Sequence, residues 1–269
     1  MAKTRAAAAA ARRPVPRSAP RGARRPAPAR RSRKRRLLLA AVPLLAALAV
    51  AAALAVAQQR SASSAQPVSV QYADTITAEF RGIEMRGDRL GDAAAPVTVT
   101  EYADLLCPAC RQFETAELPE LLPLVRQGKA QLRLALWSIL GESSLFAARA
   151  GAAAAEQDAL WPFATLWYAN QGEESTASSW VTDDFVDAVA QGAGLDRERF
   201  ARDRSDESAI AARLGRVDAE AARLGLRATP AFRVQGPGGV VMLPRPDQRE
   251  LTTTSDLARA IAQVSRAES

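Results

Sequence analysis

A chain of 269 residues that is 48% hydrophobic and 24% charged is long enough to bury a substantial core in one or two domains, yet it contains no histidine. That absence removes Ser-His-Asp triads, Cys-His dyads and histidine-ligated metals from consideration. The net charge of +7 invites a nucleic-acid reading, but 14 of the 36 Lys and Arg fall in residues 1–36, which hold no acid, so the rest of the chain is net acidic and no nucleic-acid partner is expected.

Residues 1–36 are dominated by Ala, Arg and Pro without an apolar period, and read as a disordered basic cytoplasmic tail able to touch anionic lipid. Residues 37–57, LLLAAVPLLAALAVAAALAVA, carry no charge. At about 1.5 Å per residue they reach roughly the 30 Å of a bilayer core, so they read as one transmembrane helix or signal-anchor in which Pro43 is tolerated. The preceding RRSRKRR keeps the N-terminus in the cytoplasm and places everything after residue 57 on the extracytoplasmic side of the cell membrane. Ala55-Val56-Ala57 also fits a signal-peptidase site, and Lys34-Arg35-Arg36-Leu37-Leu38-Leu39 resembles a twin-arginine signal core. A cleaved signal is the less favoured reading, because the apolar run exceeds a typical signal-peptide core. Residues 58–80 read as a spacer and 81–269 as the folded domain.

Within that domain Val97-Thr98-Val99-Thr100-Glu101-Tyr102 predicts a strand, followed by a helix and a second strand over 131–137. Residues 143–224 are helical in character throughout, with apolar spacing at Ile210, Leu214, Val217 and Ala221. An aromatic patch at Trp161, Phe163, Trp167 and Tyr168 is expected to pack between helices, with a substrate groove as the minority reading. Strands over 231–234 and 240–243 flank the turn Gln235-Gly236-Pro237-Gly238-Gly239, and a last helix over 255–264 is expected to open on a Ser255 cap with Asp256 in its first turn. The order is β, α, β, helical block, β, β, α.

Cys107-Pro108-Ala109-Cys110 holds the only two thiols. A zinc site needs two more soft or nitrogen ligands and the chain has none, so no metal is expected. A static disulfide closing so short a loop removes little chain entropy, though it stays open as an alternative to a dithiol that cycles. The motif follows a strand and precedes a helical pattern, which puts Cys107 at a helix N-terminus where free N–H groups favour a thiolate, with Pro108 suited to the first turn and Cys110 on the same face.

VTVTEYADLLCPAC, followed by the helical block and GLRATPAFRV, resembles the DsbA-like family of thiol-disulfide oxidoreductases over residues 85–265. The resemblance implies an α/β, thioredoxin-like fold with an inserted all-helical subdomain at about 143–224, and no cofactor. It implies that the Thr229-Pro230 peptide is cis and faces the CxxC, with Pro230 keeping metal off the sulfurs and Thr229 presenting its backbone to an extended substrate; read alone, Pro230 is an ordinary edge-strand proline. It makes Glu101 a buried acid that exchanges a proton with Cys110, against a solvated strand-end carboxylate on the bland reading. Asp104 is a weaker candidate that matches a frequent family position or simply caps the helix. The implied partners are exported cysteine-containing proteins and a quinone-linked membrane oxidase that shares the lipid bilayer with the anchor. The strongest oxidants of the family carry His where Ala109 stands, so a less oxidising couple is expected. An oxidase is the first reading; a reductase or isomerase, or a non-catalytic binding module with a static disulfide, are the alternatives.

Overall fold

The computed structural model describes residue 50 and residues 68–172, 179–244 and 250–266. The tail, all of 37–57 except Val50, and most of the spacer lie outside the described residues, among which no helix is long and apolar enough to cross a membrane. Apart from Val50, the described residues belong to one unit, Gln66–Ser269.

Among the described residues, six strands form one sheet: β1 (Met85–Arg86), β2 (Arg89–Leu90), β3 (Thr98–Ala103), β4 (Gln131–Leu136), β5 (Ala231–Gly236) and β6 (Gly239–Leu243), in the order β1-β2-β4-β3-β5-β6. β3 is central, parallel to β4 and antiparallel to β5, and every residue after Thr98 in it is buried. A strand covered on both faces needs the β-branched and apolar run found here. Its side chains alternate: Val99 and Ala103 join the main core, whereas Tyr102 joins a smaller cluster with Val217 and Ala221 on the opposite face. Glu101 shares the Val99 face.

Among the described residues from 68 onward, the helices are α1 (Ala73–Glu79), α2 (Pro108–Gln112), α3 (Leu118–Arg126), α4 (Glu142–Ala155), α5 (Leu160–Ala169), α6 (Asp183–Gly192), α7 (Arg197–Ser205), α8 (Glu207–Arg223) and α9 (Thr254–Val264). Between α2 and α3 the chain makes a π turn, Phe113–Glu117, with Leu118 N–H donating five residues back to Phe113. Pro119 explains it, since that residue has no N–H for Thr115 and its ring crowds the Thr115 carbonyl. Helices α4 to α8 form the insertion between β4 and β5. The alanines of α4 let α5, α7 and α8 close around it, and Ile210, Leu214, Val217 and Ala221 are the buried face of α8. Trp161, Phe163, Trp167 and Tyr168 are all buried, so the aromatic patch is packing and no ring face is left for a groove.

Three local readings need correction. The end of the expected spacer is structured: α1 buries Ile76, and Phe80 follows it into the core, a seven-residue element too short and polar to show in composition. The β1–β2 hairpin escapes periodicity because each strand has two residues. The final helix opens on Thr253, not Ser255: Thr253 and Asp256 form a reciprocal capping box, which places Ser255 inside the first turn. The β5–β6 turn falls at Pro237 and Gly238 as expected. There Gly238 N–H donates to Val264, and an added Cβ would collide with the Arg266 carbonyl.

Candidate active site

β3 ends at Ala103 and delivers the chain into residues 104–107, a turn closed by Cys107 N–H donating to the Asp104 carbonyl at 2.9 Å. Cys107 is the N-cap of α2 with extended backbone, Pro108 follows in the first turn, and no side chain caps the helix, which leaves its end free for a sulfur anion. Both cysteines are in the thiol form; Cys107 retains 7% of its surface and Cys110 none. The attacking and the shielded sulfur are thus distinct.

Thr229 meets this pair from the far side of the insertion. Its carbonyl accepts the Cys107 thiol proton at 3.4 Å, and the Thr229–Pro230 peptide is cis, with Pro230 buried at the start of β5. The Cys107 thiol is brought down to about 6, chiefly by the hydrogen bond from the Cys110 side chain, with the Thr229 side chain and the backbone of Cys110 and Ala109 adding to it against the cost of burial. Burial pushes Cys110 well up, and the charges of Cys107 and Glu101 add to that rise.

Glu101 is buried (3% exposed) on the Val99 face of β3, so the solvated reading of that residue does not hold in the structure. Burial raises its proton affinity strongly, and the Glu114 carboxyl beside it and Cys107 raise it further. Glu114, which the sequence reading did not single out, lies four residues after Cys110 on the same buried face, in the π turn. It too is raised by burial, partly offset by its hydrogen bonds. Thr165 of α5 donates to Glu114 Oε2 at 3.0 Å, while both Glu101 oxygens and Glu114 Oε1 meet no donor. Two acids in contact without a donor satisfy each other only by sharing a proton.

Asp104 does not cap α2. Its Oδ1 accepts from Leu106 N–H and its Oδ2 from the N–H groups of Ile139 and Leu140 and the Ser144 hydroxyl, so it ties the loop after β3 to the loop after β4. The insertion grips the same turn from beneath: Trp167 Nε1 and Gln171 Nε2 donate to the Leu105 carbonyl and the Tyr168 hydroxyl to the Asp104 carbonyl. Burying those aromatic rings is therefore what fixes the approach to Cys107.

The thioredoxin family model matches residues 85–239. The chain belongs to that family. Within it, the chain is 30% identical over 152 residues to the probable disulfide bond formation protein D of Bacillus cereus, covering 55% of this chain and 69% of that protein. Among solved structures, a thioredoxin-like oxidoreductase from Silicibacter pomeroyi is 27% identical with a TM-score of 0.54, covering 72% of this chain and 98% of that one. The oxidised BdbD of Bacillus subtilis, at 21% identity, shares the fold with a TM-score of 0.56 over 66% of this chain and 91% of that one. The chain is a DsbA-like, thioredoxin-fold thiol-disulfide oxidoreductase with a helical insertion. The residues singled out from sequence, Cys107, Cys110, Glu101, Thr229 and Pro230, converge on one end of its sheet, and Asp104 and Glu114 complete the setting.

Proposed function

We propose that the protein is an extracytoplasmic, membrane-anchored oxidase that introduces disulfides into exported proteins through Cys107 and Cys110. The observation that carries this reading is the contrast between the two sulfurs: Cys107, at the helix N-terminus, is brought down to about 6, while the shielded Cys110 is pushed up. In the oxidised enzyme a substrate thiolate attacks the Cys107 sulfur, forming a mixed disulfide and expelling Cys110 as a thiolate that takes a proton. A second substrate thiolate then attacks the substrate sulfur of the mixed disulfide, and Cys107 leaves as the stabilised anion. The substrate loses two electrons and the enzyme gains them. The Thr229 backbone lies where an extended substrate strand pairs beside Cys107, and Pro230 keeps metal from the sulfurs. A quinone-linked membrane oxidase reoxidises the pair, and the segment 37–57 keeps both partners in one bilayer.

The equilibrium potential against glutathione tests the direction. A potential well above the roughly −270 mV of thioredoxin supports the oxidase. A value near thioredoxin's supports the reductase, a reading favoured by Ala109 and by a Cys107 nearer to thioredoxin, at about 7, than to the strongest oxidants, at about 3.5. Because the chain has only two cysteines, labelling by a membrane-impermeant maleimide in intact cells whose exposed disulfides have first been reduced tests the topology, and labelling that appears only after the cells are opened overturns it. A Cys110→Ala variant tests the substrates: it is expected to accumulate mixed disulfides with exported proteins.

A further inference from the structure

The site holds more acid than one proton exchange requires. Glu101 and Glu114 are both fully enclosed, on β3 and the π turn, and the titratable groups coupled to them are Cys107 and Cys110 from the start of α2 and Tyr168 from α5, all of which become anions when they ionise; Asp104, from the loop before α2, acts on Tyr168. Thr165, also from α5, is the polar side chain that breaks the symmetry, and it donates to Glu114 alone.

We propose that Glu114, held by Thr165, is a positioning residue that decides which buried carboxyl keeps the proton, and so makes Glu101 the proton donor and acceptor for Cys110. The inference rests on the oxidoreductase reading above and deepens it. A hydroxyl that donates to a carboxylate favours the charged form. Glu114 is therefore the member of the pair that ionises first, and Glu101 holds the remaining proton against it. Losing that last proton places two anions in the core, so Glu101 gives it up only to a stronger base.

The thiolate expelled from the Cys107–Cys110 bond is such a base. In the oxidising direction a substrate thiolate forms a bond to Cys107 sulfur, the S–S bond breaks, its electron pair stays on Cys110, and the Glu101 proton moves to that sulfur. In the opposite direction Glu101 carboxylate takes the Cys110 proton, Cys110 attacks the mixed disulfide at Cys107, and the partner leaves as a thiolate. The helical insertion reaches the chemistry through one hydroxyl.

The test follows the second direction in the full-length protein in detergent. The reduced enzyme is mixed with oxidised glutathione, and the rate at which Cys110 resolves the Cys107–glutathione mixed disulfide is measured from pH 5 to 10. Glu114→Gln removes the neighbouring negative charge, so Glu101 ionises more easily and the acid limb of the profile moves toward lower pH by about one unit or more. Thr165→Val, which lets the proton settle on Glu114 and the charge on Glu101, moves the limb the same way, and Thr165→Ser, which keeps the hydroxyl, restores it. Profiles of folded Glu114→Gln that superimpose on the wild type overturn the proposal; should that variant not fold, an unmoved profile in Thr165→Val does so. If the wild type itself never forms the Cys107–Cys110 disulfide, the oxidoreductase reading falls first, and the two failures are told apart.

Discussion

Cys107 and Thr229, separated by 122 positions in the chain, are joined by a hydrogen bond from thiol to carbonyl at 3.4 Å. That bond exists only while Cys107 is protonated, so it opposes ionisation; the bond from the Cys110 side chain works the other way and prevails, with Cys107 at about 6. Removing the Cys110 donor is therefore expected to weaken the nucleophile. Titrated by thiolate absorbance or by the pH dependence of alkylation, Cys110→Ala raises the Cys107 midpoint by about one unit or more, while Cys110→Ser, which keeps a hydroxyl donor, stays closer to the wild type. An unmoved midpoint in Cys110→Ala would show that the helix end alone holds the anion.

The same midpoint sets how stability depends on pH. A group depressed in the folded state contributes stability that is present above its unfolded value, here 9.0, and is lost as pH falls through about 6. The oxidised protein has no such thiol and serves as the reference. Denaturant unfolding is expected to show the reduced form gaining on the oxidised form by about 1.4 kcal/mol per pH unit between pH 6 and 8, with no gain below about pH 5. A flat difference across that window contradicts the assignment.

Glu101 carries the opposite sign. Its proton affinity is raised by burial, so below its ordinary value of 4.5 it is neutral folded or unfolded and costs nothing, whereas at higher pH the fold must retain the proton or bury a charge. Glu101→Gln keeps the shape and supplies a donor to Glu114. It is expected to raise the stability at pH 7 by about 1 kcal/mol, roughly 2–4 °C in Tm for a domain of this size, to leave it unchanged at pH 4, and to slow exchange at Cys110. A loss of stability at pH 7 argues against a buried neutral acid.

The parts of the site legible in the sequence are those set by neighbours in the chain. A strand, four residues, two cysteines around Pro108 and a helix suffice to place Cys107 at a helix N-terminus, and Thr229-Pro230 before a strand is local too. Glu114 was not legible, because a charged residue on a helix ordinarily faces water and its burial depends on Thr165, 51 residues further on. Its one signal is the four-residue step from Cys110, which puts both on one face. Asp104 misleads for a related reason: a carboxylate just before a helix suggests a cap, but its partners Ile139 and Leu140, from the loop after β4, and Ser144, from the first turn of α4, lie alongside only through the parallel pairing of β3 and β4.

Asp104 therefore offers a test of structure rather than chemistry. Asp104→Ala leaves the N–H groups of Leu106, Ile139 and Leu140 without their acceptor in a part-buried setting. At about 1–3 kcal/mol for each buried donor left unpaired, and less where water can reach, a total loss of about 2–4 kcal/mol is expected in urea unfolding. Asp104→Asn, which keeps an acceptor oxygen, is expected to lose less. Equal losses in the two variants would show that the carboxylate's charge, not its reach across the loops, holds them.

Ala109 stands half-buried between the two cysteines and brings no charge to Cys107. Ala109→His introduces the chain's only imidazole, and an imidazolium beside the Cys107 thiolate favours the reduced pair. Each unit by which the Cys107 midpoint falls below 6 is worth about 1.4 kcal/mol at pH 7, which for a two-electron couple is about 30 mV toward a stronger oxidant. Because the imidazole is unique, its own titration by NMR gives an independent reading. Its midpoint is expected to rise in the reduced protein, where it faces an anion, and to return near 6.5 in the oxidised protein, where it does not. A potential and an imidazole midpoint that both stay put between redox states would place the charge out of reach of the sulfur, and would make the backbone at the start of α2, rather than the residue between the cysteines, the element that sets the oxidising power.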